Sequence, residues 1–138
     1  MEETKTTARK VRNFIEANDH LFQDWRRGPG LGGMCGISSM ILSGQLNQKY
    51  IWNEVVWGDF KQKEWGNSGH VWVRTKDYIV DITATQFGKR NRVYVVKVGN
   101  KQYVNEYPGD DKHALLYDWG ISKIDVKLMK KFMKEKEL

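Results

Sequence analysis

The sequence predicts an α+β domain, with helices first, a small antiparallel sheet in the middle and helices last. Three observations lead there. Near the N-terminus apolar residues recur at three- and four-residue spacing. The middle of the chain switches to segments rich in Val, Ile, Tyr and Trp with two-residue alternation, and helix-like segments return after Pro108.

Taken in order, residues 6–25 read as an amphipathic helix whose stripe is Val11, Phe14, Ile15, Leu21, Phe22 and Trp25. The stretch RRGPGLGGM then ends the helix, because glycine and proline favour a loop. Cys35 follows at once, and GISSMILSGQL behind it reads as a short, buried helix, so the loop delivers a cysteine to a helix N-terminus. Ser38 and Ser39 read as helix-surface hydroxyls. Residues 54–60, 69–75, 78–83 and 92–98 read as four strands of one antiparallel sheet, separated by turn-like segments such as EWGNSG and TKD. Beyond Pro108, DKHALLYDW and SKIDVKLMKKFMKEKEL read as helices, the last with a narrow stripe of Ile124, Leu128, Met129 and Phe132 crowded by lysines.

The chain of 138 residues fits one domain, residues 1–138, able to bury roughly two-thirds of its unfolded surface without disulfides or metals. A composition 40% hydrophobic and 12% aromatic excludes a disordered chain. The first residues are charged and lack an apolar core stretch, so no secretory signal is expected, and no apolar run approaches a bilayer span. One cysteine permits no internal disulfide, and a thiol that must stay free suits a reducing compartment. The cytoplasm is therefore the expected location, with export that uses no cleavable signal leaving no trace in the sequence. The net charge of +6 and pI near 9.4 would steer the chain toward nucleic acid, an anionic surface or an acidic partner. The clusters Arg26–Arg27, Lys89–Arg92 and the lysine-rich tail nevertheless read as solvated surface. His20 and His113 have no Cys/His/carboxylate spacing of a zinc site around them, the glycine-rich GPGLGGMCG lacks the Lys-Ser/Thr of a phosphate loop, and no dinucleotide fingerprint follows a strand. No metal and no cofactor are expected.

One constellation carries chemistry. If Lys76 and Asp77 form the turn of the hairpin GHVWVRTKDYIVDIT, Thr75 lies opposite Tyr78 and Trp72 opposite Asp81. His70 then sits diagonal to Asp81 on one face, within hydrogen-bonding reach, while Val71, Val73, Val80 and Ile82 share the other face of a half-buried ribbon. A three-residue turn would separate His70 and Asp81 onto opposite faces. A thiol attacks a carbonyl as the thiolate, and the unperturbed cysteine pKa of about 8.5 leaves little of it at neutral pH. The positive end of a helix and an imidazolium both favour the thiolate. Cys35 has the first at its loop–helix junction. His70 supplies the second if that helix packs across the His-bearing face, and Asp81 would fix the imidazole's tautomer and stabilise its charged form. The backbone N–H of Cys35, with a nearby side chain, would hold an oxyanion.

Each residue alone has a plainer reading: Cys35 as a small buried side chain, His70 as a structural histidine, Asp81 as a strand-end aspartate capping the following turn. The combination points to catalysis. Around it, Gln86 in TATQF reads as a polar site residue or a turn-stabilising amide. Trp72 shields the His70–Asp81 hydrogen bond from water or packs in the core, packing being favoured.

A cysteine at a helix start, then His70-Val71-Trp72-Val73 on a strand, then Asp81-Ile82-Thr83 at a strand end, in that chain order, resembles the transglutaminase-like branch of papain-like thiol enzymes. GPGLGGMCG is also similar to the loop before the nucleophile in arylamine acetyltransferases of the same superfamily. The resemblance spans about residues 28–87, with isoleucine standing where a proline is common between the Asp and the Thr. It implies a cysteine-bearing helix packed on an antiparallel sheet that carries His and Asp, and a Cys35–His70–Asp81 triad. Gln23, by resemblance to the glutamine upstream of the cysteine in papain-like enzymes, is a candidate oxyanion donor. The implied activity cleaves or transfers acyl groups at amides or thioesters, as a peptidase, amidase, deamidase or cross-linking transferase does, with a protein or peptide as substrate. Two other readings compete. One is a binding module with a vestigial triad, whose six tryptophans and positive charge would suit protein or single-stranded nucleic acid. The other is a structural subunit with an inert Cys35.

Overall fold

A computed structural model describes residues 1–22, 34–62, 66–107 and 134 of the chain. The first helix, α1 (Glu2–Ala17), buries Ala8, Val11, Phe14 and Ile15 along one stripe. It starts before residue 6 and stops well before residue 25, because Asn18 closes it. Both the backbone N–H and the side-chain amide of Asn18 donate to the Phe14 carbonyl, at 3.0 and 2.9 Å, and a 3-10 turn over Asp19–Phe22 follows. Trp25, the glycine-rich loop and Gln23 lie outside the described residues.

The second helix, α2, spans Cys35–Gln48 and is buried on nearly every side, since it lies between α1 and the sheet. Its apolar residues Ile37, Ile41, Leu42 and Leu46 face both neighbours. Just past its end the chain turns at Tyr50, whose φ of 57° is left-handed, with Ile51 N–H returning to the Leu46 carbonyl at 3.0 Å. Ser38 and Ser39 are not on the helix surface: both are buried, Ser39 Oγ donating to the Val71 carbonyl at 3.2 Å and Ser38 Oγ making no hydrogen bond among the described residues. Small side chains at these positions let the helix approach the strand backbone closely.

Four strands, β1 (Asn53–Gln62), β2 (Gly66–Thr75), β3 (Tyr78–Asp81) and β4 (Tyr94–Lys97), form an antiparallel meander in the order β1-β2-β3-β4. β1 and β2 pair continuously from Asn53 opposite Thr75 to Gln62 opposite Gly66, so the first hairpin extends through much of EWGNSG. Between β2 and β3, Val73 faces Val80 and Arg74 faces Ile79, the register of a two-residue turn at Lys76 and Asp77.

The sheet is covered on both faces rather than one. Val73, Val80 and Ile82 pack against the helices in a mainly aliphatic cluster with Val11, Ile15, Ile37, Leu42 and Leu46, which also takes in Phe14 and Phe22. On the opposite face Val56, Phe60, Trp72, Ile79, Tyr94 and Val96 meet Ala84 of the 3-10 turn Ala84–Phe87 and Tyr107. A short helix, α3 (Lys101–Glu106), touches β1 and β4 and delivers Tyr107; the sequence pattern did not predict it. It starts at Asn100, whose Oδ1 accepts from Tyr103 N–H at 2.8 Å. The helices expected beyond Pro108 lie outside the described residues, apart from Lys134 in a helical turn. Among the described residues no helix is long and apolar enough to cross a membrane.

Arg12 joins the two ends of this arrangement. Although charged, it is only 6% exposed, and its guanidinium donates to the Ile82 carbonyl at 2.6 Å, to Thr85 Oγ1 at 2.9 Å and to Glu16 at 2.5 Å. The basic cluster at 89–92 is likewise not simply solvated: Lys89 pairs with Glu106, and Arg92 pairs with Glu16 at 2.8 Å and donates to Asn13 at 2.5 Å.

Candidate active site

His70 and Asp81 meet because the hairpin register leaves them diagonal on one face of adjacent strands. His70 Nε2 and Asp81 Oδ2 are 2.7 Å apart, with both side chains out of contact with solvent. The strand residue opposite His70 in β1 is Gly58, which sets no side chain beside the ring. Three aromatic rings enclose the imidazole instead. Phe87 lies edge-on at 4.8 Å between centroids, Phe60 edge-on at 5.8 Å and Trp72 tilted at 5.8 Å. Phe60 and Phe87 stack on each other at 4.5 Å. Such a cage keeps water from the ion pair and strengthens it.

Asp81 serves two purposes with its two oxygens. Oδ1 accepts from Thr83 N–H at 3.0 Å and Thr83 Oγ1 at 3.4 Å, the turn-capping role of a strand-end aspartate. Oδ2 takes His70 and also the hydroxyl of Tyr107 at 2.9 Å. Burial raises the carboxyl pKa, but the His70 charge and hydrogen bond, the Thr83 amide and the Tyr107 hydroxyl together hold it below its ordinary value.

For His70 the largest influence is burial, which disfavours the cation. The Asp81 charge and hydrogen bond oppose it, joined by a hydrogen bond and charge interaction with Cys35, and the imidazole is pushed up to about 9. His70 is accordingly an imidazolium at neutral pH. With Nε2 committed to Asp81, Nδ1 is the nitrogen left for Cys35 and for Gln86, whose amide nitrogen lies 3.3 Å from it. When the ring is charged, Nδ1 is a donor and the Gln86 amide oxygen is the group able to accept; when it is neutral with the proton on Nε2, Nδ1 accepts from the Gln86 NH2.

Cys35 begins α2 and is partly exposed, open to a reagent from solvent while in reach of the buried imidazole. The helix does not lie across the His-bearing face as the sequence suggested. It packs on the Val73/Val80/Ile82 face, and only its N-terminal end approaches His70. The apolar residues of α2 require a partner along the whole helix, and the valine face offers one whereas the His70 face is taken up by aromatic residues. At the helix start Ser38 N–H already donates to the Met34 carbonyl, while the amides ahead of it belong to the first turn, which has no intrahelical acceptors.

Of the sequence-derived candidates, Cys35, His70, Asp81 and Gln86 come together; Gln23 lies outside the described residues. Trp72 is fully buried, edge-on to Tyr107 at 4.9 Å, and its indole N–H has no hydrogen-bond partner among the described residues, so packing describes it. Sequence reasoning missed Tyr107, which stands 26 positions from Asp81 with no local signal, and the two rings Phe60 and Phe87. Thr83 was visible only as the third residue of Asp81-Ile82-Thr83. Among the described residues no group of His, Cys, Asp and Glu has the arrangement to hold a metal ion. No family model matches the chain, and no curated protein or solved structure matches it either.

Proposed function

We propose that this protein is a thiol-dependent acyl-group hydrolase or transferase, with Cys35 as nucleophile, His70 as acid and base, and Asp81 as the group that orients His70, on a papain-like/transglutaminase-like core. The observation that carries the reading is the continuous chain from a partly exposed cysteine at a helix start, through a buried imidazole, to a carboxylate 2.7 Å away. A structural role would not need a charged imidazole caged by aromatics beside the only thiol of the chain.

The steps follow from the geometry. The Cys35 thiolate attacks the carbonyl carbon of an amide or thioester, and the oxygen takes the negative charge near the N–H groups at the start of α2. The imidazolium gives its Nδ1 proton to the departing amine or thiol, leaving an acyl-Cys35 thioester and a neutral ring. His70 then takes a proton from water or an attacking amine, which displaces Cys35 and returns the ion pair. Asp81 keeps the proton of the neutral ring on Nε2 throughout, so that Nδ1 faces the reaction. A protein or peptide is the proposed substrate, and the need for a free thiol favours the cytoplasm as the site of action.

The test is the pH dependence of iodoacetamide alkylation at Cys35 in the folded wild type and in His70→Asn. Alkylation of the wild type that persists at about pH 6, with the variant reacting roughly tenfold more slowly there, would support the pair. A wild-type thiol that reacts like a free cysteine regardless of His70 would sink it.

A further inference from the structure

We propose that Tyr107 is a positioning residue of this site: its hydroxyl donates to Asp81 Oδ2, the oxygen that also takes His70 Nε2, and so limits how tightly the carboxylate holds the imidazolium proton. The catalytic meaning of this rests on the function proposed above. Asp81 receives four donors, two on each oxygen, from His70, Tyr107, Thr83 N–H and Thr83 Oγ1. Each donor spreads the carboxylate charge and makes it a weaker base. A triad aspartate that bound the imidazolium too strongly would leave His70 a poor acid toward a leaving group, because general acid catalysis works best when the proton is neither too loose nor too tight.

The phenol has no freedom to do otherwise. It is 1% exposed, edge-on to Trp72 at 4.9 Å and to Phe60 at 5.2 Å. Its backbone N–H closes α3 on the Tyr103 carbonyl at 2.9 Å. The preceding residue, Glu106, is anchored by Lys89 and by the Tyr94 hydroxyl at 2.5 Å. The charged and titratable groups that act on the pair come from every side: Asp81 from β3 and Cys35 from α2 on His70, and Asp81, Tyr94 and Glu106 on Tyr107. Burial first, and then the Asp81 carboxylate, keep the phenol protonated far above its ordinary range, so it remains a donor wherever His70 titrates. A tyrosine that merely filled space would use its ring alone; this one aims its only polar atom at the oxygen shared with the histidine.

The experiment is an NMR titration of the His70 ring, without substrate, in the wild type and in Tyr107→Phe, which keeps the ring and removes the hydroxyl. His70→Asn assigns the resonance among the three histidines. The expected result is a wild-type midpoint near 9 that moves upward by about half a unit or more in Tyr107→Phe, as one donor to the carboxylate is lost. An unchanged midpoint in a folded Tyr107→Phe would overturn the proposal. If that variant does not fold, the Tyr107 ring carbon bearing the hydroxyl is followed in the wild type: a chemical shift that changes through the His70 midpoint supports the shared carboxylate, and one that stays flat there overturns the proposal. An inert Cys35 beside a shifted His70 titration would refute the catalytic function and leave the Tyr107 link standing, so the two failures read differently.

Discussion

The two faces of the sheet are built from different chemistry. The face toward α1 and α2 is aliphatic, with Val73, Val80 and Ile82 against Ile15, Leu42 and Leu46, and its cohesion comes from apolar area removed from water. The opposite face is aromatic and buries a charged pair, His70 with Asp81, among Phe60, Trp72, Phe87 and Tyr107. Removing two charges from water is costly, and their attraction and hydrogen bonds only offset that cost. The comparison teaches that the helical face holds the fold together while the aromatic face spends stability on a preorganised ion pair.

The largest test of this difference is Asp81→Ala. Leaving His70 and the Tyr107 hydroxyl buried without their shared carboxylate is expected to cost about 3–5 kcal/mol in denaturant unfolding near neutral pH, and to slow alkylation of Cys35. A loss under about 1 kcal/mol would mean that the pair is not held as described.

The next compares the faces by pH. His70 has a folded pKa raised from 6.5 to about 9, so its contribution to stability is fully present below 6.5 and disappears as pH rises through about 9. Asp81 has a lowered folded pKa, so its contribution is present above 3.8 and is lost as pH falls through the folded value. Wild-type stability should therefore decline between 6.5 and about 9, a decline that Asp81→Ala lacks. Leu42→Ala, on the aliphatic face, should cost about 2–5 kcal/mol by nearly the same amount at every pH, because it removes packing and no charge. Thermal or urea unfolding across that range checks both curves.

The smallest test lies away from both faces. Tyr50 is 96% exposed and holds a left-handed backbone with φ of 57°, so its side chain contributes little and its Cβ adds strain. Tyr50→Gly should stabilise the protein by up to about 1 kcal/mol without altering Cys35 alkylation. A destabilisation would show that the exposed ring matters to the folded state.

Much of this arrangement was legible in the sequence, and for physical reasons. The alternation in GHVWVRTKDYIVDIT specified both the hairpin and its register, since a slip of one residue would have turned Val71, Val73, Val80 and Ile82 away from their core. The same constraint placed His70 and Asp81 on one face. The cysteine at the head of an apolar helix was legible from the glycine-rich stretch before it. Periodicity says only that a face is buried, however, and not by what. It therefore could not reveal that α2 takes the valine face, nor that a second layer covers the aromatic one. Tyr107 and Arg12 escaped for a related reason: each acts through a single polar atom on a partner far along the chain, and such contacts leave no local pattern. Ser38 and Ser39 look like surface hydroxyls because serine usually is exposed, yet here their small size serves a close helix–strand approach.

The Asp81 carboxylate, with donors from β2, from its own turn and from the end of α3, also orders events in time. Cys35 is synthesised well before His70, and His70 well before Tyr107, while the contacts made at the carboxylate join residues 11 and 26 positions apart. A nascent chain emerging N-terminus first thus carries its cysteine before the histidine and the carboxylate exist, and the ion pair forms only once the sheet has closed. Under the proposed function, completion of the fold would be the step that arms the thiol, so that an unfinished polypeptide carries no reactive cysteine.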